Sequence, residues 1–556
     1  MSSYSAYFRD GRETAPTTAH VVGILPHWLS GTLFINGPGR FRGMSHLFDG
    51  LSLLHAFTLR PGTGGTAPVY QARYLRSKSF LAAEAANGDP KNREFASSPG
   101  GFCGRVRTLA AGSSASDNAN VALVPFRGAL YALTEAPVAW LVDKGSLASI
   151  APWSDAPFSK RSVLEVAATT SAHVLRHDGI PSVLGGRPFA IFLTTRYTLA
   201  LPPSIVYGSY EISLCSDDAG PPAEERFKIT PVAKELPAYM HSFTATATRV
   251  VLTEAPMRFS LPAMMHTIAI APHGTPITNG WPWDASGSVV FRVAELRGHG
   301  EGEGAAGGKH LAAKALALRV PGLPFFVLHH VNAWDDAASG GLFVDVVAYD
   351  DQDILRDLSL AALRAGKFSS RGAALRRFFL DPRAGIAKEV FLHITPQLPS
   401  FELPTVAPSV VGHRHRFIYA IRATPGAFVD ALIKADVCVG GEPTFTPHKV
   451  WAQRACSPGE PTFVPRPGGT VEDDGVVLAL VLAPSAAAAA NVAGRETASI
   501  DSVEGVNAAA DGDDATTFLL VLDAATFLEV ARVVLDAGHA LPYTFHGLWL
   551  RESEDT

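Results

Sequence analysis

The feature that most restricts this chain is a local pattern repeated from end to end: short apolar and β-branched runs, alternating or continuous, each closed by Gly, Pro, Asp or Asn. Ala129 to Leu133, Phe189 to Thr195, Val250 to Leu252, Leu342 to Tyr349, Arg416 to Ile421, Val476 to Leu482 and Phe518 to Leu522 are examples. Runs of this length, with a period of two or no polar interruption, fit strands better than helices. The 50 glycines and 40 prolines supply the turns between them. The expected class is therefore all-β. A length of 556 residues suggests several domains, but all-β barrels and propellers stay whole at large sizes, so one domain remains open. The pentapeptide Leu-Thr-Glu-Ala-Pro occurs at 133–137 and again at 252–256, each time after a strand-like run. Repeated strand-and-turn units give such echoes, although no regular period is present.

The best helical spacing is Gln352 to Phe379, where Leu358, Leu360, Leu363 and Leu375 sit among Arg and Lys, with a break at Gly366. Gly298 to Lys314, rich in Gly and Glu, and Ser485 to Asp514, which opens on alanines and ends acidic, read as solvated surface insertions.

Bulk properties exclude several classes. A net charge of −5 with no concentrated basic stretch argues against nucleic acid as a partner. Cys103, Cys215, Cys438 and Cys456 lie far apart, so neither a disulfide scaffold nor a zinc ribbon is indicated, and a reducing cytoplasm suits the chain. The opening residues lack the basic patch and apolar core of a signal peptide. The longest apolar runs, such as Val476 to Ala483, fall far short of the roughly 20 residues that span a bilayer, so any membrane contact is peripheral. No Gly-x-Ser-x-Gly elbow, phosphate loop or His-Glu-x-x-His helix is present.

Two strings set a histidine among apolar and turn residues: His329-His-Val-Asn-Ala-Trp and Pro542-Tyr-Thr-Phe-His-Gly. Upstream stand Ser171-Ala-His and Met240-His-Ser-Phe. Further motifs are Gly-Thr-Leu-Phe-Ile-Asn-Gly-Pro-Gly at 31–39, His46-Leu-Phe-Asp-Gly with Leu54-His55, Arg73-Tyr-Leu-Arg-Ser, Leu133-Thr-Glu, Phe401-Glu-Leu-Pro, Glu460-Pro-Thr-Phe-Val, Glu472-Asp-Asp-Gly-Val-Val and Leu522-Asp-Ala-Ala-Thr-Phe. Together they resemble the motifs of the carotenoid cleavage oxygenase family, with Ile35 standing where that family usually has arginine.

The resemblance implies one seven-bladed β-propeller over 1–556, with a cap of loops and short helices over the metal site. It implies that His173, His241, His329 and His546 hold Fe(2+), and that Glu135, Glu402 and Glu460 support the last three of them. Four imidazoles without a thiolate suit iron, copper, zinc or nickel alike, so it is the resemblance that selects iron. A single histidine beside apolar residues is more often a hydrogen-bonded core residue than a ligand. The joint match in the family's chain order is what sets these four apart.

The activity implied is that of a non-haem iron(II) dioxygenase, with O2 as co-substrate, cleaving a conjugated C=C bond of a carotenoid or apocarotenoid to two carbonyl products, retinal among them. The 31 phenylalanines offer ample lining for an apolar polyene. Thr134, where stilbene cleavers usually carry lysine, disfavours a stilbene-cleaving oxygenase. Gly88-Asp-Pro-Lys-Asn lacks the cysteine of the membrane-anchoring motif of the retinoid isomerohydrolase. A non-catalytic propeller interaction protein is the alternative from another class, against which the retained histidines and glutamates count. No obligate protein partner is evident.

His330 faces away from the ligands, on the opposite side of its strand. Glu254 ends a strand on the surface. His413 and His415, alternating with Arg414 and Arg416, begin a solvated strand. Phe95 to Leu109, with Phe102 beside Arg105 and Arg107, is the candidate peripheral membrane contact.

Overall fold

The computed structural model describes the chain except for 1–2, 63–64, 87–115, 160–164, 180–182, 201–204, 232–234, 272–274, 297–310, 313–314, 368–371, 393–399, 424–427, 438–445, 455, 484–505, 509–516, 536–540 and 553–556. Its strands form seven sheets, the blades of a seven-bladed β-propeller. In chain order blades II to VI are built on residues 122–152, 165–229, 244–319, 326–392 and 401–452. Blade VII holds 457–534 and takes in His20–Gly23, which pairs with Glu529–Val534. Blade I, built on 14–74, receives Gly547–Arg551 beside Gly31–Ile35. The ring is thus closed twice by strands from opposite ends of the sequence.

Packing explains the two kinds of apolar run. A middle strand lies between neighbouring blades, is covered on both faces and reads as continuous hydrophobe, as in a doubly covered sheet. Gly475–Leu482 is buried along its whole length. Each Val or Leu buried there contributes about 1.5–3 kcal/mol relative to exposure. Outer strands alternate instead: Thr66–Tyr74 buries Pro68, Tyr70, Ala72 and Tyr74 in turn.

The expected helix over 352–379 is only partly helical. Asp353–Asp357 and Leu360–Ala365 are short helices, and the second ends at Gly366 in the left-handed region (φ 63°), a conformation glycine tolerates without a Cβ penalty. Ala374–Asp381 is a strand paired with Leu342–Tyr349. Its leucine at 375 belongs to the period-two face of a blade, not to the helical face of Leu360 and Leu363. Conversely, Leu261–Ala269 is a helix capped by Ser260 with proline in its first turn. In the two expected insertions, Leu311–Ala312 and Val506–Ala508 add as parallel edge strands to blades III and VI, and most of the rest lies outside the described residues. The expected membrane contact at 95–109 also lies outside them.

Candidate metal centre

The inner edges of the blades converge on one axis, and the four histidines of interest lie on or beside those edges. His173 sits where the inner strand of blade III breaks between Thr170 and Leu175. His241 stands just before the inner strand of blade IV, His329 within that of blade V, and His546 immediately before Gly547–Arg551. One ring nitrogen from each lies within 4.8 Å of the others. The Nε2 atoms of His173 and His241 are 3.2 Å apart, and those of His241 and His329 are 3.3 Å apart.

The other ring nitrogens explain the orientation. His329 Nδ1 donates to Glu402 Oε2 at 2.6 Å, His546 Nδ1 to Glu460 Oε1 at 2.8 Å, and His241 Nδ1 to Glu135. The carboxylates are fixed in turn. Tyr239 Oη donates to both oxygens of Glu135 at 2.9 Å, Tyr349 Oη to Glu402 Oε1 at 2.7 Å, and the Gly547 amide to Glu460 Oε2 at 2.8 Å. Among the described residues no carboxylate is hydrogen-bonded to His173. Its amide donates to Ser171 Oγ at 3.1 Å, while Ser171 Oγ donates to the His241 carbonyl at 2.8 Å, tying two of the histidines together.

This arrangement fits a cation. In His241, His329 and His546 the Nδ1–H is committed to a carboxylate, so Nε2 presents only a lone pair, and several lone pairs pointing at one another repel unless a positive charge lies between them. Imidazole nitrogens bound at about 2.0–2.1 Å to a common divalent ion lie roughly 3–3.5 Å apart at ordinary angles, as His241 does from His173 and from His329. Burial and then the neighbouring imidazoles hold the His173 pKa well below the usual range. Burial also lowers that of His329, though Glu402 opposes it. Glu402 itself is pushed up by burial but held low on balance by His329 and its hydrogen bonds. A neutral imidazole beside an ionised carboxylate, as at His329 and Glu402, is what a metal requires of a ligand.

The surroundings are apolar. Phe48 stacks on His241 with centroids 6.2 Å apart, and Phe545 meets Phe48 edge-on at 5.2 Å. His46 places Phe48: its Nδ1 accepts from the Phe48 amide at 3.2 Å while Nε2 donates to the Leu355 carbonyl at 2.8 Å. The glycine-rich motif at 31–39 serves His546. Asn36 and the 545–546 segment exchange two backbone hydrogen bonds, and a Cβ at Gly37 would press on the Thr544 backbone.

Two expectations fail. Glu254 is fully buried, not exposed, because Arg258 donates to it at 3.0 Å. His415 is also buried, between Asp345 at 3.2 Å and Asn332, while His413 is exposed as expected. His330 stays out of the cluster: its two ring nitrogens contact Ser242 and Thr253 hydroxyls at 2.8 and 2.7 Å, and burial lowers its pKa to about 3. Nothing in the sequence points to Tyr239 or Tyr349, since a tyrosine that orients a carboxylate carries no local signature.

A propeller with an axial four-histidine site backed by carboxylates is the class of protein that fold and site define together. Residues 8–551 match the RPE65 family, described as Retinal pigment epithelial membrane protein, and the chain belongs to it, the family of the carotenoid cleavage oxygenases. It is 28% identical to rice Carotenoid cleavage dioxygenase 8 homolog A, chloroplastic, covering 96% of this chain and 85% of that one. It is likewise 28% identical to Carotenoid isomerooxygenase of Galleria mellonella, covering 97% and 94%. Among solved structures, a variant of Synechocystis apocarotenoid oxygenase matches with a TM-score of 0.72 at 21% identity, over 99% of this chain and 98% of that one. A cobalt-substituted form of the same oxygenase matches at 0.70.

Proposed function

We propose that this protein is a non-haem iron(II) dioxygenase that cleaves one conjugated C=C bond of a carotenoid or apocarotenoid with O2, giving two carbonyl products, retinal among the candidates. The observation that carries the reading is the set of His Nε2 lone pairs aimed at one point, with three of the rings locked by Glu135, Glu402 and Glu460. His173, His241, His329 and His546 would hold the ion. Iron held there would supply the binding and activation of dioxygen. The chain does the rest: the carboxylates keep three imidazoles in one tautomer, Tyr239 and Tyr349 keep two of the carboxylates aimed, and Phe48 with Phe545 excludes water beside His241. The relatives' names support a carotenoid-type polyene, and the isomerooxygenase makes the geometry of the product bonds worth reading in the same assay.

The test is anaerobic loading with iron(II), incubation with β-carotene and a series of apocarotenals in air, and product chromatography. Two carbonyl fragments per turnover, with iron near one per chain, are expected. Iron-loaded protein that leaves every polyene intact would overturn the reading.

Because such substrates reside in bilayers, the reading includes a peripheral membrane contact. Among the described residues no helix is long and apolar enough to cross a membrane. Helix Leu261–Ala269 supports a surface contact instead, since Met265 is 42% and Ile270, its C-cap residue, 71% exposed. It flanks a cleft of about 720 Å³ lined by Met257, Trp281 and Trp283. Liposome flotation should survive high salt and weaken on Ile270→Ser; flotation unchanged by that substitution would reject the contact.

A further inference from the structure

We propose that Glu254 and Arg258 form a positioning pair that fixes the strap Glu235 to Met240 and so aims His241 at the axial site. The strap leads directly into His241 and carries Tyr239, which holds Glu135. Arg258 grips it at two points: its Nη1 donates to the Leu236 carbonyl at 3.1 Å, and its Nη2 meets Glu235 at 2.9 Å. Around that grip the strap is stitched to the segment bearing Arg258. The Tyr239 amide donates to the Met257 carbonyl at 2.8 Å, and the Phe259 amide to the Pro237 carbonyl at 3.1 Å. From blade III, Tyr210 Oη accepts from the Ala238 amide at 2.7 Å, and a Cβ at Gly208 would overlap the Pro237 ring.

Glu254 orients the guanidinium from a fully buried position at the end of strand Arg249–Glu254, and its Oε1 has no hydrogen-bond partner among the described residues. A buried carboxylate is a poor way to stabilise a fold, because desolvation offsets most of what pairing returns, and apolar replacements of such pairs are often neutral or better. What a carboxylate-bound guanidinium does provide is a rigid planar fork with fixed donor directions. Here one branch of the fork ends on the strap carbonyl. Glu254 and Arg258 touch no ligand atom; they act through the backbone that delivers His241.

The proposal rests on the reading of His241 as a metal ligand, and Co(II) is the probe for both. Full-length protein freed of metal by chelation would be titrated with Co(II), following affinity, the visible Co(II) spectrum and the Tm of the metal-free form. Glu254→Gln and Arg258→Met should weaken Co(II) about 10-fold, at the low end for residues that orient ligands, and shift the spectrum. Arg258→Lys should not rescue, because one ammonium cannot reproduce the fork. Lys434→Met is the control: it breaks a buried pair with Asp473 between blades VI and VII, remote from the strap. It should lower Tm and leave Co(II) affinity and spectrum unchanged. If the Glu254 and Arg258 variants show that same pattern, the pair is merely structural and the proposal is wrong. Should they fail to fold, Gly208→Ala, which pushes on Pro237, carries the same expectation and the same refutation. Wild-type protein that binds no Co(II), or His241→Ala that binds it as tightly, would defeat the ligand reading and the strap with it. Normal wild-type binding that is unaltered in the variants defeats the strap alone.

Discussion

The pentapeptide Leu-Thr-Glu-Ala-Pro appears twice, at corresponding places in blades II and IV, where the second strand of the blade runs out. Both glutamates are buried, at 5% and 0% exposure, yet Glu135 receives a tyrosine and a histidine while Glu254 receives an arginine. Identical local sequence puts a carboxylate inside the propeller in both cases. What it does there is decided by the strap at 235–241, which Glu135 meets from the axial side and Glu254 through Arg258. A repeated motif therefore predicts placement, whereas role comes from residues about a hundred positions away or from a single side chain four positions on.

This contrast can be broken or sharpened by substitution. The largest effect should come from His241→Ala, which removes the group that distinguishes the Glu135 site: bound iron and polyene cleavage should both be lost, read by metal analysis and product chromatography. Glu135→Gln keeps the shape but removes the charge that orients the ring, and should cost about 10–100-fold in metal affinity or activity. Tyr239→Phe removes one donor to the carboxylate while leaving the ring in place. About 1 kcal/mol of hydrogen-bond energy is at stake, or roughly fivefold in metal affinity by titration. Smallest should be His330→Gln, beside His329 but held by two hydroxyls: stability should fall by about 1 kcal/mol in a denaturant melt with metal content unchanged. A metal loss at His330 equal to that at His241 would erase the distinction between the neighbouring histidines.

The all-β class was legible because the strands are short, local and punctuated, whereas the seven-bladed ring came only with the family motifs. The axial histidines were legible through family motifs, not through spacing. What escaped depended on contacts distant in sequence. Ala374–Asp381 carries leucine and arginine in an order that suits either period, and pairing with Leu342–Tyr349 settles it as strand. His415 sits among arginines that suggest solvent, but Asp345, which also binds Arg377, draws it inside. The helix Leu261–Ala269 is only 9 residues long and has a proline in its first turn, too few turns for a helical period to stand out from a short apolar run. Glu254 is hidden from a local reading for the same reason as His415, since burial of a charge is readable only once its partner is known.

The strand that follows His546 is also the one that completes blade I. During synthesis at about 5–20 residues per second, roughly 20–75 s separate the emergence of His173 from that of His546. Over that interval the nascent chain can offer at most three of the four imidazoles, and the axis stays open on one side. Metal capture by all four histidines would then be a late event, timed by the arrival of the closing strand. An ion bound by all four histidines would lock that strand in place, so the same step that readies the site for chemistry would also seal the ring against unravelling from its edge.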